Sequence, residues 1–191
     1  MSGVSRRDRK LRKLSRFLSM LLRHQPARFP VRLDDQGYTA LSDVMRVLRA
    51  LPNFRWATRA DIDEIVGARG RAKFEIVQDD AGTRIRALYG HTAVRPVHAL
   101  VTPPDVLYVA VTPERVREAV AEGLLPGETG YVELVSSAEE ARRLVAHETD
   151  RPTVFAVDTP AAMAAGCAFH SPAEGIYLVA RVVGAHLTQL S

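Results

Sequence analysis

The sequence predicts an α+β protein of two lobes, a basic helical lobe closed by a β-hairpin and a second lobe of mixed β-sheet with helices. Three observations predict it. Apolar residues recur at spacings of three and four through the first third of the chain and then switch to alternation, the change from a helical to a strand period. A linker marked by Arg95-Pro96 and Thr102-Pro103-Pro104 breaks both patterns, and beyond it short apolar strands alternate with helical stretches. The charge divides at the same place: residues 1–95 hold 20 Lys and Arg against 10 Asp and Glu, and residues 96–191 hold 6 against 12. We therefore place the lobes at 1–95 and 96–191. A chain of 191 residues, 47% of them hydrophobic, is long enough for each lobe to have its own core.

In the first lobe, Leu11, Leu14, Phe17, Leu18, Leu21 and Leu22 form one apolar stripe on a helix. It ends near Arg23-His24-Gln25-Pro26, because the residue before a proline disfavours helical geometry. Asp34-Asp35-Gln36-Gly37 reads as a turn. A second helix spans about 41–51, with Leu41, Val44, Met45, Leu48 and Leu51 inward and Ser42-Asp43 as capping residues. Thr58 caps a third, with Asp61 three residues on and Ile62, Ile65 and Val66 buried. Phe74 and Ile76, then Ile85 and Ala87, alternate with polar neighbours around Asp79-Asp80-Ala81-Gly82, the signature of a hairpin. Three helices and a hairpin resemble a winged helix. Together with the excess of ten positive charges, this points to a polyanion-binding lobe. A solvated basic surface is the plainer alternative.

In the second lobe, residues 106–111 read as a buried strand. Thr112-Pro113 starts a helix with Val116, Ala119 and Val120 inward, ending at Gly123. Residues 131–135 form another strand, Ser137 caps a helix to about His147, and 153–157 and 175–183 are further strands.

Several function classes are excluded or disfavoured. No apolar run approaches the ~20 residues of a membrane span. The basic N-terminus has no small-residue cleavage site, so no signal peptide is read. The single cysteine, Cys167, rules out an intramolecular disulfide and a cysteine-rich zinc site, and fits a reducing, cytoplasmic setting. It lies in an apolar stretch and reads as a core residue. The six histidines are scattered without metal spacing, and neither a P-loop nor G-x-G-x-x-G is present.

Four places carry candidate chemistry. Arg23-His24 pairs a guanidinium that forks onto phosphate oxygens with a second donor, at a helix end where positive charge is favourable. Basic residues also end helices with no further role. Arg84 and Arg86 share one hairpin face, extended by Arg71 and Lys73 and followed by Gly90-His91-Thr92, which would suit a phosphate or simply be solvated. Arg151 leads a strand, where an exposed ion pair is the usual reading.

At these residues the chain resembles the RNA 2′-phosphotransferase family from about Leu14 to Val183. The family's L-S-x-x-L-x-x-x-L-R-H-x-P is Leu14-Ser15 through Leu22-Arg23-His24-Gln25-Pro26, and its L-D-x-x-G-[WY] is Leu33 to Tyr38. Its I-R-A-x-x-G-H-S looks like Ile85 to Thr92, and its G-L-x-P-G is Gly123 to Gly127. Its strand-leading arginine falls at Arg151, before Phe155-Ala156-Val157-Asp158, and Met163, Gly166, Phe169, Ser171 and Gly175 continue its last segment. The resemblance implies a winged-helix-like lobe that binds RNA and an ADP-ribosyltransferase-like lobe that binds NAD, in a monomeric transferase of tRNA-processing type with substrates in the cleft between them. It implies that an RNA 2′-phosphate attacks NAD and expels nicotinamide, and that a ribose hydroxyl of the ADP-ribosylated intermediate then attacks phosphorus. The products are an RNA 2′-OH and ADP-ribose 1″,2″-cyclic phosphate. No metal and no membrane are implied.

Carried over by position, Arg23 and His24 clamp the 2′-phosphate, Arg151 assists the second step, and His91 with Thr92 lies on the substrate face. Lys73 stands where the family has an arginine; it keeps the charge but loses the bidentate fork, unless a bulge brings in Arg71. The family's L-Y-H-G-T is Leu107 to Val111, with Val109 and Val111 replacing the histidine and threonine, and its H-V-H-L-S is Tyr131 to Val135. On the NAD side this leaves Tyr108, Tyr131, Glu133 and Ser171. The alternatives are a catalytically weakened relative that binds RNA or phosphorylated RNA ends, or an ADP-ribosyltransferase that stops after the first step.

Overall fold

The computed structural model describes residues 5–68, 73–146 and 148–190. The chain divides into two units, 1–97 and 98–191.

Unit 1 begins with α1 (Arg6–Ser19), opened by a capping box between Ser5 and Asp8. Leu14 and Leu18, with Leu21 and Leu22 beyond them, are fully buried. They meet Val44, Val47 and Leu48 of α2 (Leu41–Ala50) and Ile62 of α3 (Arg59–Val66) in one core. Between helices the chain adds β1 (Thr39–Ala40), and after them β2 (Phe74–Asp79) and β3 (Gly82–Ala87). The sheet order is β1-β3-β2, all antiparallel. Phe74, Ile85 and Ala87 point from it into the helical core, as the alternation requires. The expected capping role of Ser42-Asp43 is corrected: Ala40 is the N-cap of α2 and makes no side-chain cap, because β1 runs directly into the helix.

Unit 2 holds β4 (Ala99–Leu100), β5 (Val106–Val111), α4 (Val116–Glu122), β6 (Val132–Val135), α5 (Ala138–Val145), β7 (Thr153–Asp158), α6 (Thr159–Ala164), β8 (Phe169–Ala173), β9 (Ile176–Val179) and β10 (Leu187–Gln189). Its seven strands run in the order β10-β7-β5-β6-β9-β8-β4. The sheet is antiparallel at every described pairing, not mixed. The connection from β5 through α4 returns the chain to the end at which β5 finished, so the strand–helix–strand alternation is not a parallel crossover. One sheet face, with Leu107, Leu134, Phe155, Val157 and Phe169, packs on α4 and α6; the other, with Ala110, Val135 and Val154, packs on α5.

Two further expectations are corrected. Val120 is 59% exposed, because α4 begins as a 3-10 turn at Pro113–Arg115 that shifts its inward face to Ala119. The strand read over 175–183 stops at Val179, and Val182 pairs instead with Leu124. Cys167 is half-buried at the core's edge, its thiol near the Arg181 carbonyl. The end of α5 read at His147 lies outside the described residues. Among the described residues no helix is long and apolar enough to cross a membrane.

The start of α3 is fixed by a reciprocal set of side-chain hydrogen bonds. Thr58 N–H and Oγ1 donate to Asp61 Oδ2 at 2.9 and 2.7 Å, and Asp61 N–H donates back to Thr58. Burial pushes the Asp61 carboxyl up, but Thr58 and the charges of Arg7 and Lys10 outweigh it and hold the pKa below its ordinary value. A depressed pKa gives stability that is complete above the ordinary carboxylate value and lost as pH falls through the folded one. Thr58→Ala is therefore expected to lower stability by about 1 kcal/mol at neutral pH, with the gap to the parent narrowing in acid. Urea unfolding at several pH values measures it; a gap constant with pH would refute the Thr58–Asp61 linkage.

Candidate functional site

In unit 1 the site forms where α1 ends. The helix continues past Ser19 through one wider π-turn, Met20–His24, closed by Gln25 N–H on the Met20 carbonyl at 3.0 Å, and Pro26 then stops it. Such turns concentrate at functional sites. This one buries Leu21 and Leu22 and directs Arg23 and His24 to the chain that leaves the hairpin. The Arg23 carbonyl accepts the amides of Thr92 and Ala93 at 2.9 and 3.2 Å, and Thr92 Oγ1 lies 3.2 Å from His24 Nδ1.

The Arg23 guanidinium lies 4.6 Å from the Tyr89 ring centroid and 5.9 Å from that of Phe74. Its Nε and Nη2 are buried, and among the described residues neither has a hydrogen-bond acceptor. Burial pushes the Arg23 pKa down and Tyr89 draws it back up; an arginine remains protonated in either case. A buried cation with open donors is unstable by several kcal/mol unless an anion meets it. The fork of Nε and Nη2 matches two oxygens of a phosphate or carboxylate.

Two glycines shape this pocket. Gly90 has φ +76°, and a Cβ there would sit 3.3 Å from Arg23 Nη1. Gly37 has φ +79°, and a Cβ there would sit 2.6 Å from His91 Nε2. His91 is buried at 4% exposure, turned in against the Asp34–Gly37 turn. The structure thus brings Arg23, His24, His91 and Thr92 together.

It does not bring Arg84 and Arg86 to them. Both guanidiniums lie over Tyr38, at 4.6 and 4.5 Å from its ring centroid. Arg84 is paired with Asp79 and Asp34, and Arg86 Nε donates to Glu75 Oε2 at 2.8 Å. The same carboxylate accepts the Tyr38 hydroxyl at 2.6 Å, and burial with Glu75 raises the Tyr38 pKa. Sequence reading missed these acidic partners; the alternation that placed the arginines on one face also places Glu75 opposite Arg86. Lys73 is exposed before β2, its carbonyl accepting Leu88 N–H at 3.0 Å. Arg71 lies outside the described residues.

In unit 2, β5 and β6 are paired at one position, Tyr108↔Val135, and the ladder does not continue between Val109–Val111 and Val132–Leu134. The sheet opens there. Tyr131 stands just before β6 at this opening, its ring 6.0 Å from that of His170 and 6.4 Å from that of His98. Glu133 and His170 both face Leu178 in the register, so the three share a sheet face. Ser171, next along β8, donates to the Ala173 carbonyl. Arg151 is exposed ahead of β7, and the pairing Val111↔Thr153 puts it at the end of the sheet where β5 stops. Tyr108 pairs with Val135, two residues on from Glu133, so it shares this sheet face, where it packs beside Ala110 and Val135 against α5. His98 and His170 were missed by sequence reading, because ring neighbours across strands leave no spacing signal. Among the described residues no group of three or more His, Cys, Asp or Glu is placed to hold a metal.

The family model described as RNA 2′-phosphotransferase, Tpt1/KptA family, matches residues 8–181. Relatives named "Probable RNA 2′-phosphotransferase" are similar over nearly full length. The Streptomyces griseus protein is 36% identical over 90% of this chain and 92% of its own. That of Streptomyces coelicolor is 34% identical over 92% and 93%, and that of Hahella chejuensis 32% over 96% of each.

The fit of Gly37 to His91 is open to a direct test. Gly37→Ala is expected to cost about 2 kcal/mol or more, combining left-handed backbone with the His91 clash. Gly82→Ala, at φ +99° with no atom within 4 Å of the added Cβ, carries the backbone cost alone. Equal losses in urea unfolding would show that His91 does not constrain residue 37.

Proposed function

Because this chain belongs to the RNA 2′-phosphotransferase family, we propose that it removes an RNA 2′-phosphate with NAD as co-substrate and Arg23 as the principal phosphate ligand. The buried Arg23 fork carries this reading, because a cation held among Tyr89, Phe74 and Gly90 with open donors is matched to an oxyanion. We read unit 1 as a winged-helix-like RNA-binding lobe, since three helices precede a hairpin whose sheet packs on them. We read unit 2 as an ADP-ribosyltransferase-like lobe, since its antiparallel sheet opens between β5 and β6.

In the first step the 2′-phosphate, held by Arg23 and His24, attacks the anomeric carbon of NAD, and nicotinamide leaves. In the second a ribose hydroxyl of ADP-ribose attacks the phosphorus. The RNA 2′-oxygen leaves, and ADP-ribose 1″,2″-cyclic phosphate is released. Negative charge builds on the phosphoryl oxygens in this step, so cations are needed there. Arg151 and Lys73 take that role in this proposal; Lys73 lacks the two-pronged fork of an arginine, so the second step is the slower one.

The opening at β5 and β6 is the place for NAD. Val109, Val111 and Glu133 border it, so contact falls to the strand edges and to Tyr131, with Ser171 nearby. Thr92 orients the His24 imidazole. His91 supports the loop from beneath. Arg84 and Arg86 brace the hairpin, their charge already met by carboxylates.

A turnover assay tests the reading: a short RNA with one internal 2′-phosphate, with and without NAD, products resolved by mass. NAD-dependent dephosphorylation with cyclic phosphate release is expected. Arg23→Ala is expected to lower turnover about 10²-fold or more with NAD affinity little changed. Arg151→Ala is expected to accumulate ADP-ribosylated RNA; uniform loss without that intermediate removes Arg151 from the second step. RNA binding with no NAD-dependent change would identify a binding module in place of an enzyme.

A further inference from the structure

The helix that ends in Arg23 carries a second feature that phosphate capture leaves unused. Arg6, Lys10, Lys13 and Arg16 recur along α1 at spacings of three and four and are all exposed. Among the described residues none of the four is in an ion pair. Arg7 beside them is different: it is held by Asp61 and Glu64 at 3.3 and 2.6 Å, so the nearest carboxylates are largely met by Arg7, though the charge of Lys10 also reaches Asp61. Asp8, the one acid on this helix, is committed to the Ser5 cap.

The stripe faces a wall with an aromatic side chain in it. Two adjoining depressions, of about 540 and 460 Å³, are lined on one side by these cations and on the other by the connection from α2 to α3, the first also by Arg7 and by Asp61 at the start of α3. They share Lys10 and Trp56. Trp56 is fixed by its indole N–H on the Asn53 carbonyl at 2.9 Å, and Lys10 Nζ lies 5.0 Å from its ring centroid. Trp56 packs on one side against the core of unit 1 and is half-buried, which leaves part of its ring beside the cations. A polyphosphate without bases would have no use for such a ring. A strand of nucleotides needs both, because the cations follow the backbone and the ring takes a base. Lys10, on a flexible four-carbon stem, can leave the ring for a phosphate as the base arrives.

We propose that Arg6, Lys10, Lys13, Arg16 and Trp56 form a docking groove for a single-stranded stretch of RNA, with one base stacked on Trp56 and the backbone along α1. Lys13 precedes Arg23 by ten residues, about 15 Å along a helix axis. The groove therefore takes nucleotides a few positions from the modified one and acts on affinity, not on the chemical step. This rests on RNA being the substrate, so its test is built to stand apart from turnover.

Trp56 is the single tryptophan of the chain, so its fluorescence reports this groove alone. The probe is an unstructured RNA of about a dozen nucleotides, without a 2′-phosphate and without NAD, titrated into the full chain. Saturable quenching is expected, with log affinity falling linearly against log salt. By anisotropy of the labelled RNA, Lys10→Glu with Lys13→Glu is expected to weaken binding more than tenfold and flatten the salt slope. Trp56→Ala is expected to weaken it roughly tenfold while Trp56→Phe keeps most of the affinity. Binding without quenching, or unchanged in all three variants, overturns the groove. Equal quenching and affinity with duplex RNA or heparin overturns single-strand recognition in favour of general polyanion contact. In turnover, the same variants should raise KM for a long 2′-phosphorylated RNA and leave kcat on a minimal dinucleotide unchanged. An inactive parent that still quenches would count against the enzymatic reading and not against the groove.

Discussion

The bond from the hairpin exit to the end of α1 organises unit 1. A regular helix would end with its last carbonyls turned to water or to a cap. Here the π-turn opens the ladder, and the Arg23 carbonyl takes the amides of Thr92 and Ala93 instead. That one junction sets where the Arg23 side chain lies, since Leu21 and Leu22 are fully buried and leave the turn no freedom to rotate. The aromatic faces of Tyr89 and Phe74 then receive the guanidinium. Gly90 and Gly37 follow from the same geometry: each takes a left-handed φ where a side chain would strike Arg23 or His91. A pocket that buries a cation among such rigid neighbours gives up stability in exchange for a preformed fit to an anion.

Unit 2 solves a different problem. A continuous ladder between β5 and β6 would satisfy both strand edges and leave nothing to offer a ligand. The single pair at Tyr108↔Val135 keeps the two halves of the sheet in register, while the strands part beyond it. The divergent residues of the chain, Val109, Val111 and Glu133, all lie along this parting. The ring cluster of Tyr131, His98 and His170 then supplies an aromatic wall at the mouth, with the His170 Nδ1 held 2.9 Å from the His98 carbonyl.

Much of this was legible in the sequence, for physical reasons that differ element by element. The stripe from Leu11 to Leu22, the Thr58 cap and the hairpin about Asp79–Gly82 are local signals, and the structure carries each nearly where periodicity puts it. The antiparallel order of the second sheet was not legible, because strand direction is set by where a connection returns, which apolar runs do not encode. Helix α6 was hidden behind the strand before it: Asp158 reads as the end of an apolar run, yet its side chain caps Ala161 N–H at 2.9 Å. At the site, the adjacency of Arg23 and His24 was visible. The burial of His91, and the pairing of Arg84 and Arg86 with Asp34, Asp79 and Glu75, required the fold.

Those pairings change what the charge of the first lobe means. A net excess of ten positive charges over residues 1–95 suggests a uniformly attractive surface, but a charge already met by a carboxylate contributes little field. On the hairpin, Arg84 and Arg86 are met by three carboxylates, Asp34, Asp79 and Glu75, so that face carries no net positive charge from them. At α1, Asp61 and Glu64 of α3 hold Arg7 and Asp8 closes the Ser5 cap, so Arg6, Lys10, Lys13 and Arg16 remain in a row, with Arg9 and Arg12 of the same helix also outside any ion pair among the described residues. Arg32, Arg49, Arg55 and Arg95 are likewise exposed and, among the described residues, in no ion pair, but α1 is the element on which such cations form a continuous row. In the proposed reading, a polyanion drawn to α1 is drawn to the helix that leads into Arg23, so the same 14-residue segment and its π-turn would couple capture to recognition without any moving part.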